Sequence, residues 1–179
     1  MTSGRTLLRT YAEEFPDNPG QVITAANRRL LLDTRAGLFI TIFYAVLDPK
    51  TGQLTYCNAG HNPPILFRAP GKAEMESLTR TGMAMGVLEE ASWEQGAIQI
   101  DPGDVLVLYT DGIVEAIDAQ GDFFDEQRLV QAVQTSLSGE LSEERSAAAI
   151  QGDLLRQVER FVGEASQSDD RTLMVLVRK

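Results

Sequence analysis

Two acidic signatures lie against apolar runs in this chain, and their arrangement points to metal chemistry. Residues 105–116 read VLVLYTDGIVEA, which puts Asp111 and Gly112 at the end of a run otherwise suited to burial. Residues 168–178 read SDDRTLMVLVR, which puts Asp169 and Asp170 just before a second such run. If these runs are neighbouring strands, the end of one meeting the start of the other, acids distant in the chain converge at one sheet edge. Hard oxygen ligands at a shared edge suit Mg²⁺ or Mn²⁺, which retain waters and can activate one as a nucleophile. Gly112 would let the backbone approach a metal shell or complete a tight turn. Glu115 follows closely enough to reach such a shell through water, and a surface carboxylate near a helix start explains it equally well. On pattern alone a strand-terminal Asp is also a common turn or helix cap, so both readings stand at this point.

Other chemistry is sparse. His61, in NAGHNPP, is the single imidazole, so any Ser-His-Asp or Cys-His catalysis must run through it. No G-x-S-x-G elbow accompanies it, and Pro63 and Pro64 stiffen its loop. A structural role fits His61, as does a place with Asn58 in a substrate groove or behind the metal ligands. Neither G-x-x-x-x-G-K-[ST] nor G-x-G-x-x-G occurs, which removes the usual phosphate loops. One cysteine and one histidine cannot build a Cys/His zinc site, and Cys57, alternating within LTYCNAG, reads as core. Trp93 reads as a half-buried packing residue. Met83 and Met85, in RTGMAMGVL, fit core filling or the lining of a groove.

Bulk properties narrow the class further. A net charge of −10 argues against a nucleic-acid groove, because phosphate backbones demand clustered Lys and Arg. Nowhere do enough uncharged apolar residues run together to span a membrane. The N-terminus, MTSGRTLLRTYAEEF, lacks the apolar core and cleavage site of a secretory signal, which implies a cytoplasmic location. With 179 residues, 43% of them hydrophobic, the chain suits one domain with a sizeable core.

The elements that must position the acids can be read from periodicity. Leu7, Leu8 and Tyr11 have helical spacing from the chain end onward. Asn18 as N-cap and Pro19 at the first helical position open a second helix, with Val22, Ile23, Ala26, Leu30 and Leu31 on one face. From residue 37 the character changes. LFITIFYAVLD and LTYCNAG read as a hairpin with Gly52 in its turn, and ILFRA reads as a third strand. TGMAMGVLEE is a loop, and WEQGAIQID leads through the turn PGD into DVLVLYTD. Helices follow around DEQRLVQAVQTSL and SEERSAAAIQGDLLRQVERFVG, the latter with a stripe of Ile150, Leu154, Leu155, Val158, Phe161 and Val162. TLMVLVRK closes the chain as a strand. Strands and helices are segregated rather than alternating, which predicts α+β layers.

Taken in order and spacing, FITIFYAVLDPKTGQLTYCNAGHNPPILFR, RTGMAMGVL, PGDVLVLYTDGIVEA and SDDRTLMVLV resemble the SpoIIE/RsbU-like branch of the PPM-type, metal-dependent serine/threonine phosphatases. The likeness covers essentially the whole chain, read as a single domain over residues 1–179. It implies an αββα sandwich with a binuclear Mn²⁺ or Mg²⁺ centre at one edge of two sheets, where a metal-bound water attacks phosphoserine or phosphothreonine. The family's TDG aspartate falls on Asp111, and the first aspartate of its terminal D-[DN]-x-T motif falls on Asp169. Asp170 and the Gly112 backbone stand beside these ligands. The implied substrate is a bacterial signalling phosphoprotein such as an anti-sigma-factor antagonist, with sensor domains in a longer parent. One departure stands out: the family's D-[VI]-S-G-[KH]-G motif, whose aspartate bridges both metals, normally precedes the helix with which this sequence begins. The expected fold is therefore an N-terminally truncated one, about the C-terminal three quarters of the domain. The competing function is a catalytically incompetent, phosphatase-like binding module.

Overall fold

The computed structural model describes residues 4–33, 39–69, 75–138, 146–166 and 169–179. The chain divides into two compact units, one built from residues 1–63 and 76–101, the other from 64–75 and 102–179. No helix among the described residues is long and apolar enough to cross a membrane.

The first unit sets two helices, α1 (Gly4–Glu14) and α2 (Pro19–Asp33), with strands β1 (Ile42–Leu47), β2 (Gln53–Ala59) and β5 (Gly96–Gln99). Asn18 caps α2 as its sequence predicts: its Oδ1 accepts from the Gln21 N–H at 3.0 Å, satisfying one of the helix's orphan donors. β1 and β2 form the expected antiparallel hairpin, Leu47 opposite Leu54, and β5 pairs antiparallel on the other side of β2. The turn closes because Asp48 Oδ1 accepts from the Lys50 N–H at 2.9 Å and Gly52 takes φ 81°. Ile23, Ala26 and Leu30 of α2 bury against Cys57 and Ala59 of β2 together with Met85 and Trp93. Trp93 is more deeply buried than expected, and its Nε1 donates to the Met83 carbonyl at 2.7 Å. Met85 fills core as one of its two readings has it, while Met83 is exposed. Asn27, fully buried on α2, donates to the Leu88 carbonyl at 2.9 Å and accepts from the Gly86 N–H at 2.7 Å, tying the methionine loop to the helix.

The second unit contains β3 (Ile65–Phe67), β6 (Val105–Tyr109) and β7 (Leu173–Val177), with helices α3 (Asp111–Val114), α4 (Asp125–Ser138) and α5 (Ala147–Val162). The short exposed strand β4 (Met75–Ser77) falls at the boundary between the units, and the second unit's sheet runs β3-β6-β7. β3 and β7 both pair antiparallel to β6. Ile65, Phe67, Val105, Val107, Tyr109 and Leu173 pack with Leu129 and Val133 of α4 and with Ile150, Leu154, Val158 and Val162 of α5. Those α5 residues belong to the apolar stripe read from the sequence, and Ser146 caps the helix by accepting from the Ala149 N–H at 3.1 Å. At the start of β6, Asp104 is a fully buried carboxylate. It accepts from Arg68 Nη1 at 2.8 Å and from the Ala69 N–H at 2.8 Å.

Both units are built on antiparallel sheets with helices at the chain positions expected, so the α+β class holds. Two elements are additional: the single-turn α3 and β4. The expected strand positions 38, helical positions 142–145 and the first three residues of the chain lie outside the described residues.

Two predictions concern stability. Burial pushes the Cys57 thiol above its ordinary value of 9.0, partly offset by a hydrogen bond from Thr81. The unfolded thiol ionises at the ordinary value while the folded one stays protonated. Stability is thus fully present below about pH 9 and falls as pH rises toward the folded pKa. Melting temperature measured against pH is expected to drop above about pH 9, with a shallower drop in Cys57→Ala; equal slopes would contradict the burial argument. Asp104→Ala leaves Arg68 as a poorly compensated, mostly buried charge and is expected to cost about 3–5 kcal/mol in urea unfolding. A loss no larger than that of a surface substitution would show that the pair contributes little.

Candidate metal centre

The two acidic signatures meet where the sequence placed them. β6 and β7 pair with Tyr109 opposite Leu173, so Thr110 and Asp111 leave one strand beside the segment Asp169–Thr172 that enters the other. Thr110 binds that segment three times. Its N–H donates to the Thr172 carbonyl at 3.1 Å, its hydroxyl donates to the Asp170 carbonyl at 3.3 Å, and the same oxygen accepts from the Thr172 N–H at 3.0 Å.

This explains a local irregularity. Thr110 occupies the N-cap position of α3 with extended backbone, φ −92° and ψ 164°, yet its hydroxyl makes no cap to that helix. The oxygen that would serve α3 is committed to the opposite segment instead. Asp111 opens the single helical turn, and its Oδ1 accepts from the Gly112 N–H at 2.9 Å. Across the junction Asp169 does the same, its Oδ1 accepting from the Asp170 N–H at 2.7 Å.

Gly112 is the tightest point. A Cβ built there would lie 2.3 Å from the Asp170 carbonyl oxygen, closer than any side-chain carbon can approach backbone. Only glycine admits this contact. The residue is buried, while Asp111, Asp169 and Asp170 are all exposed. Glu115 is exposed as well, with its N–H donating to the Asp111 carbonyl at 2.8 Å.

The elements beneath the acids are held from the core side. Gln151 of α5 donates through Nε2 to the carbonyl of Leu173, the first residue of β7, at 2.6 Å. Tyr109, the last residue of β6, is buried, and burial together with the charge and hydrogen bond of Glu126 on α4 drives its phenol far above the ordinary value. It stays a neutral phenol.

In chemical kind the donors fit a hard divalent cation: exposed carboxylate oxygens on two rigidly joined segments. In number they fall short of a full shell, since no group of three or more His, Cys, Asp or Glu side chains is gathered for a metal among the described residues. Arg171, between Asp170 and Thr172, has its Nε–H buried without a hydrogen-bond partner, a condition that costs about 1–3 kcal/mol.

Asn58 and His61 lie in the first unit. Asn58 is fully buried with its amide engaged by backbone: Nδ2 donates to the Leu78 carbonyl at 3.2 Å, and Oδ1 accepts from the His61 N–H at 2.9 Å. Its side chain therefore fixes the turn leading to His61. Thr110, Thr172, Gln151 and Arg171 were not singled out from the sequence. The first two carry a local signal, since each signature pairs its aspartate with a nearby threonine.

The Stage II sporulation protein E (SpoIIE) family model matches residues 1–179. The chain belongs to the SpoIIE family. It is 30% identical over 142 residues to protein IcfG of Synechocystis, covering 79% of this chain and 21% of that protein. It is 29% identical over 177 residues to the phosphoserine phosphatase RsbU of Bacillus subtilis, covering 97% of this chain and 50% of the relative. The chain thus spans half or less of the length of these two relatives. Among solved structures, the RsbU and RsbW domains of a Mycobacterium tuberculosis protein match at TM-score 0.80 and 23% identity, covering all of this chain and 48% of that one. The PP2C domain of SiaA from Pseudomonas aeruginosa matches at TM-score 0.79 and 15% identity over 98% of this chain and 68% of its own. These likenesses establish a shared fold, and the resemblance carried by the four motifs is borne out.

Gly112→Ala is expected to force the two segments apart and to lower unfolding stability by about 1–3 kcal/mol, the usual cost of overpacking. Urea unfolding provides the check. A variant as stable as the parent would mean the Gly112–Asp170 approach is not required.

Proposed function

We propose that this chain is the phosphatase portion of a Mn²⁺- or Mg²⁺-dependent phosphoprotein phosphatase acting on phosphoserine or phosphothreonine. The observation that supports the reading is the hydrogen-bonded junction that ties Thr110, next to Asp111, to the Asp170 and Thr172 backbone, with Asp111, Asp169 and Asp170 all exposed. Asp111 and Asp169 are the groups that would hold the cation, with the Gly112 backbone and Asp170 as further contacts. A divalent ion there supplies an activated water nucleophile and neutralises charge on the phosphoryl oxygens. Thr110 and Thr172 keep the two carboxylate-bearing segments in register, so little reorganisation is needed when a cation arrives. Because the acids stand at an exposed strand end, a phosphorylated side chain on another protein can reach them.

The name of the RsbU relative, a phosphoserine phosphatase, agrees with this substrate class. We take the partner to be a phosphoprotein of bacterial signalling, such as an anti-sigma-factor antagonist, met in the cytoplasm. Solved relatives include RsbX in complex with magnesium and a manganese-presoaked SpoIIE phosphatase domain, which supports either ion as the cofactor. The competing reading is a phosphatase-like module that binds a phosphoprotein without turning it over.

Calorimetric titration with Mn²⁺, paired with hydrolysis of p-nitrophenyl phosphate, separates the two. Asp111→Asn and Asp169→Asn are each expected to weaken Mn²⁺ by about tenfold or more and to abolish any hydrolysis. Metal binding without hydrolysis selects the binding module. Absence of Mn²⁺ binding in the unsubstituted chain would sink the metal centre.

A further inference from the structure

Arg171 is the charged residue at this edge whose chemistry the metal reading leaves unused. In the second unit, Arg68, Arg128 and Arg156 each hold a carboxylate, at 2.8, 3.1 and 2.6 Å. Arg171 follows two aspartates directly and lies across the junction from a third, yet it forms no ion pair with any of them. Its Nε is the one buried side-chain nitrogen or oxygen without a hydrogen-bond partner among the described residues. Buried donors are nearly always satisfied, so the exception calls for an explanation.

The backbone around Arg171 is fixed. On one side the Asp170 carbonyl receives the Thr110 hydroxyl and meets Gly112; on the other the Thr172 N–H donates to the Thr110 oxygen. The arginine is thus a long, uncommitted side chain on a rigid post, between the acids and the sheet. A phosphoester dianion approaching three exposed carboxylates meets repulsion, which a cation held at the same edge offsets. A guanidinium presents planar paired donors that match two phosphoryl oxygens, and it stays protonated at any working pH.

We infer that Arg171 is a phosphate-binding residue of this site, rotating from its resting position, where Nε–H goes unsatisfied, to grip the phosphoryl group of the substrate. The inference rests on the phosphatase reading for the identity of the ligand, but it assigns to Arg171 an affinity for phosphate that can be measured with or without metal.

The test uses inorganic phosphate as probe, followed by ³¹P line broadening on the full chain at fixed ionic strength, with and without Mn²⁺. Arg171→Met is expected to weaken phosphate at least tenfold. Arg171→Lys should recover only part of that loss, because an ammonium cannot reproduce the paired contact. Mn²⁺ affinity should be unchanged in Arg171→Lys, which keeps the charge, and unchanged or slightly tighter in Arg171→Met, where a positive charge has been removed. Asp111→Asn should show the opposite pattern, losing Mn²⁺ while keeping metal-free phosphate binding. Phosphate binding that depends on Arg171 without any Mn²⁺ binding would support this inference while defeating the metal centre. Phosphate affinity equal to the parent in both arginine variants overturns it, as does a parent that binds no phosphate under either condition. Joint loss of Mn²⁺ and phosphate in Arg171→Met would show a merely structural arginine and also overturns it. Should Arg171→Met fail to fold, a parental phosphate affinity in Arg171→Lys is decisive against the proposal.

Discussion

The register between β6 and β7 is the constraint on which the rest of the site depends. Side chains alternate faces along a strand, so a slip of one residue would turn Val105, Val107 and Tyr109 out of the helix-packed core. That burial helps keep Tyr109 opposite Leu173, so Asp111 leaves β6 beside the segment that enters β7. Burying one such side chain contributes about 1.5–3 kcal/mol. The core on the helix side therefore fixes the register far more strongly than anything among the exposed carboxylates does. Polar contacts then lock the strand ends: Gln151 on the Leu173 carbonyl and Thr110 between the strands.

β6 also shows how position alone separates a structural acid from a functional one. Asp104 and Asp111 flank the same apolar strand and look equivalent in the string DVLVLYTD. Asp104 is buried, and a buried carboxylate is tolerated only with partners, which Arg68 and the Ala69 N–H provide. Asp111 is exposed, with one oxygen on its neighbour's N–H and the rest of its acceptor capacity turned to solvent. A ligand must keep its lone pairs available. The acid with two committed protein partners is the one removed from chemistry.

How far the sequence could be read follows from whether the decisive contact is local. The Asn18 cap, the Asp48–Gly52 turn and the α5 stripe are encoded within a few residues, and each is where the pattern placed it. The pairing of the two acid-flanked runs as neighbouring strands was legible as well, because two apolar runs ending and starting in acids have few ways to pair. Contacts across long separations were not. Arg68 meets Asp104 and Asn27 meets the 86–88 backbone through tertiary packing that no local periodicity reports. α3 has four residues, about one turn, too short for a 3.6-residue pattern to show, and β4 has three exposed ones with no buried alternation. Asn58, read with His61 as a groove residue or a support behind the metal ligands, is buried with its amide holding backbone, a set of contacts across up to 20 residues that no local pattern reports.

Placing the acids outside the core also solves an electrostatic problem that the chain's negative charge makes acute. Carboxylates gathered within a low-dielectric interior would repel one another strongly, whereas water screens the same charges at an exposed edge. The fold therefore generates rigidity and charge in different places. Rigidity comes from neutral, buried contacts: the Gly112 approach to the Asp170 carbonyl, the Thr110 hydrogen bonds and the packing of Leu173. Acidic charge sits within three residues of each of these, on the exposed side chains of Asp111, Asp169 and Asp170. Such a division lets the acids be neutralised or left bare without unfolding the strands that present them. Arg171 is the exception to the division, a charge whose inner nitrogen reaches into the rigid layer and finds no partner there.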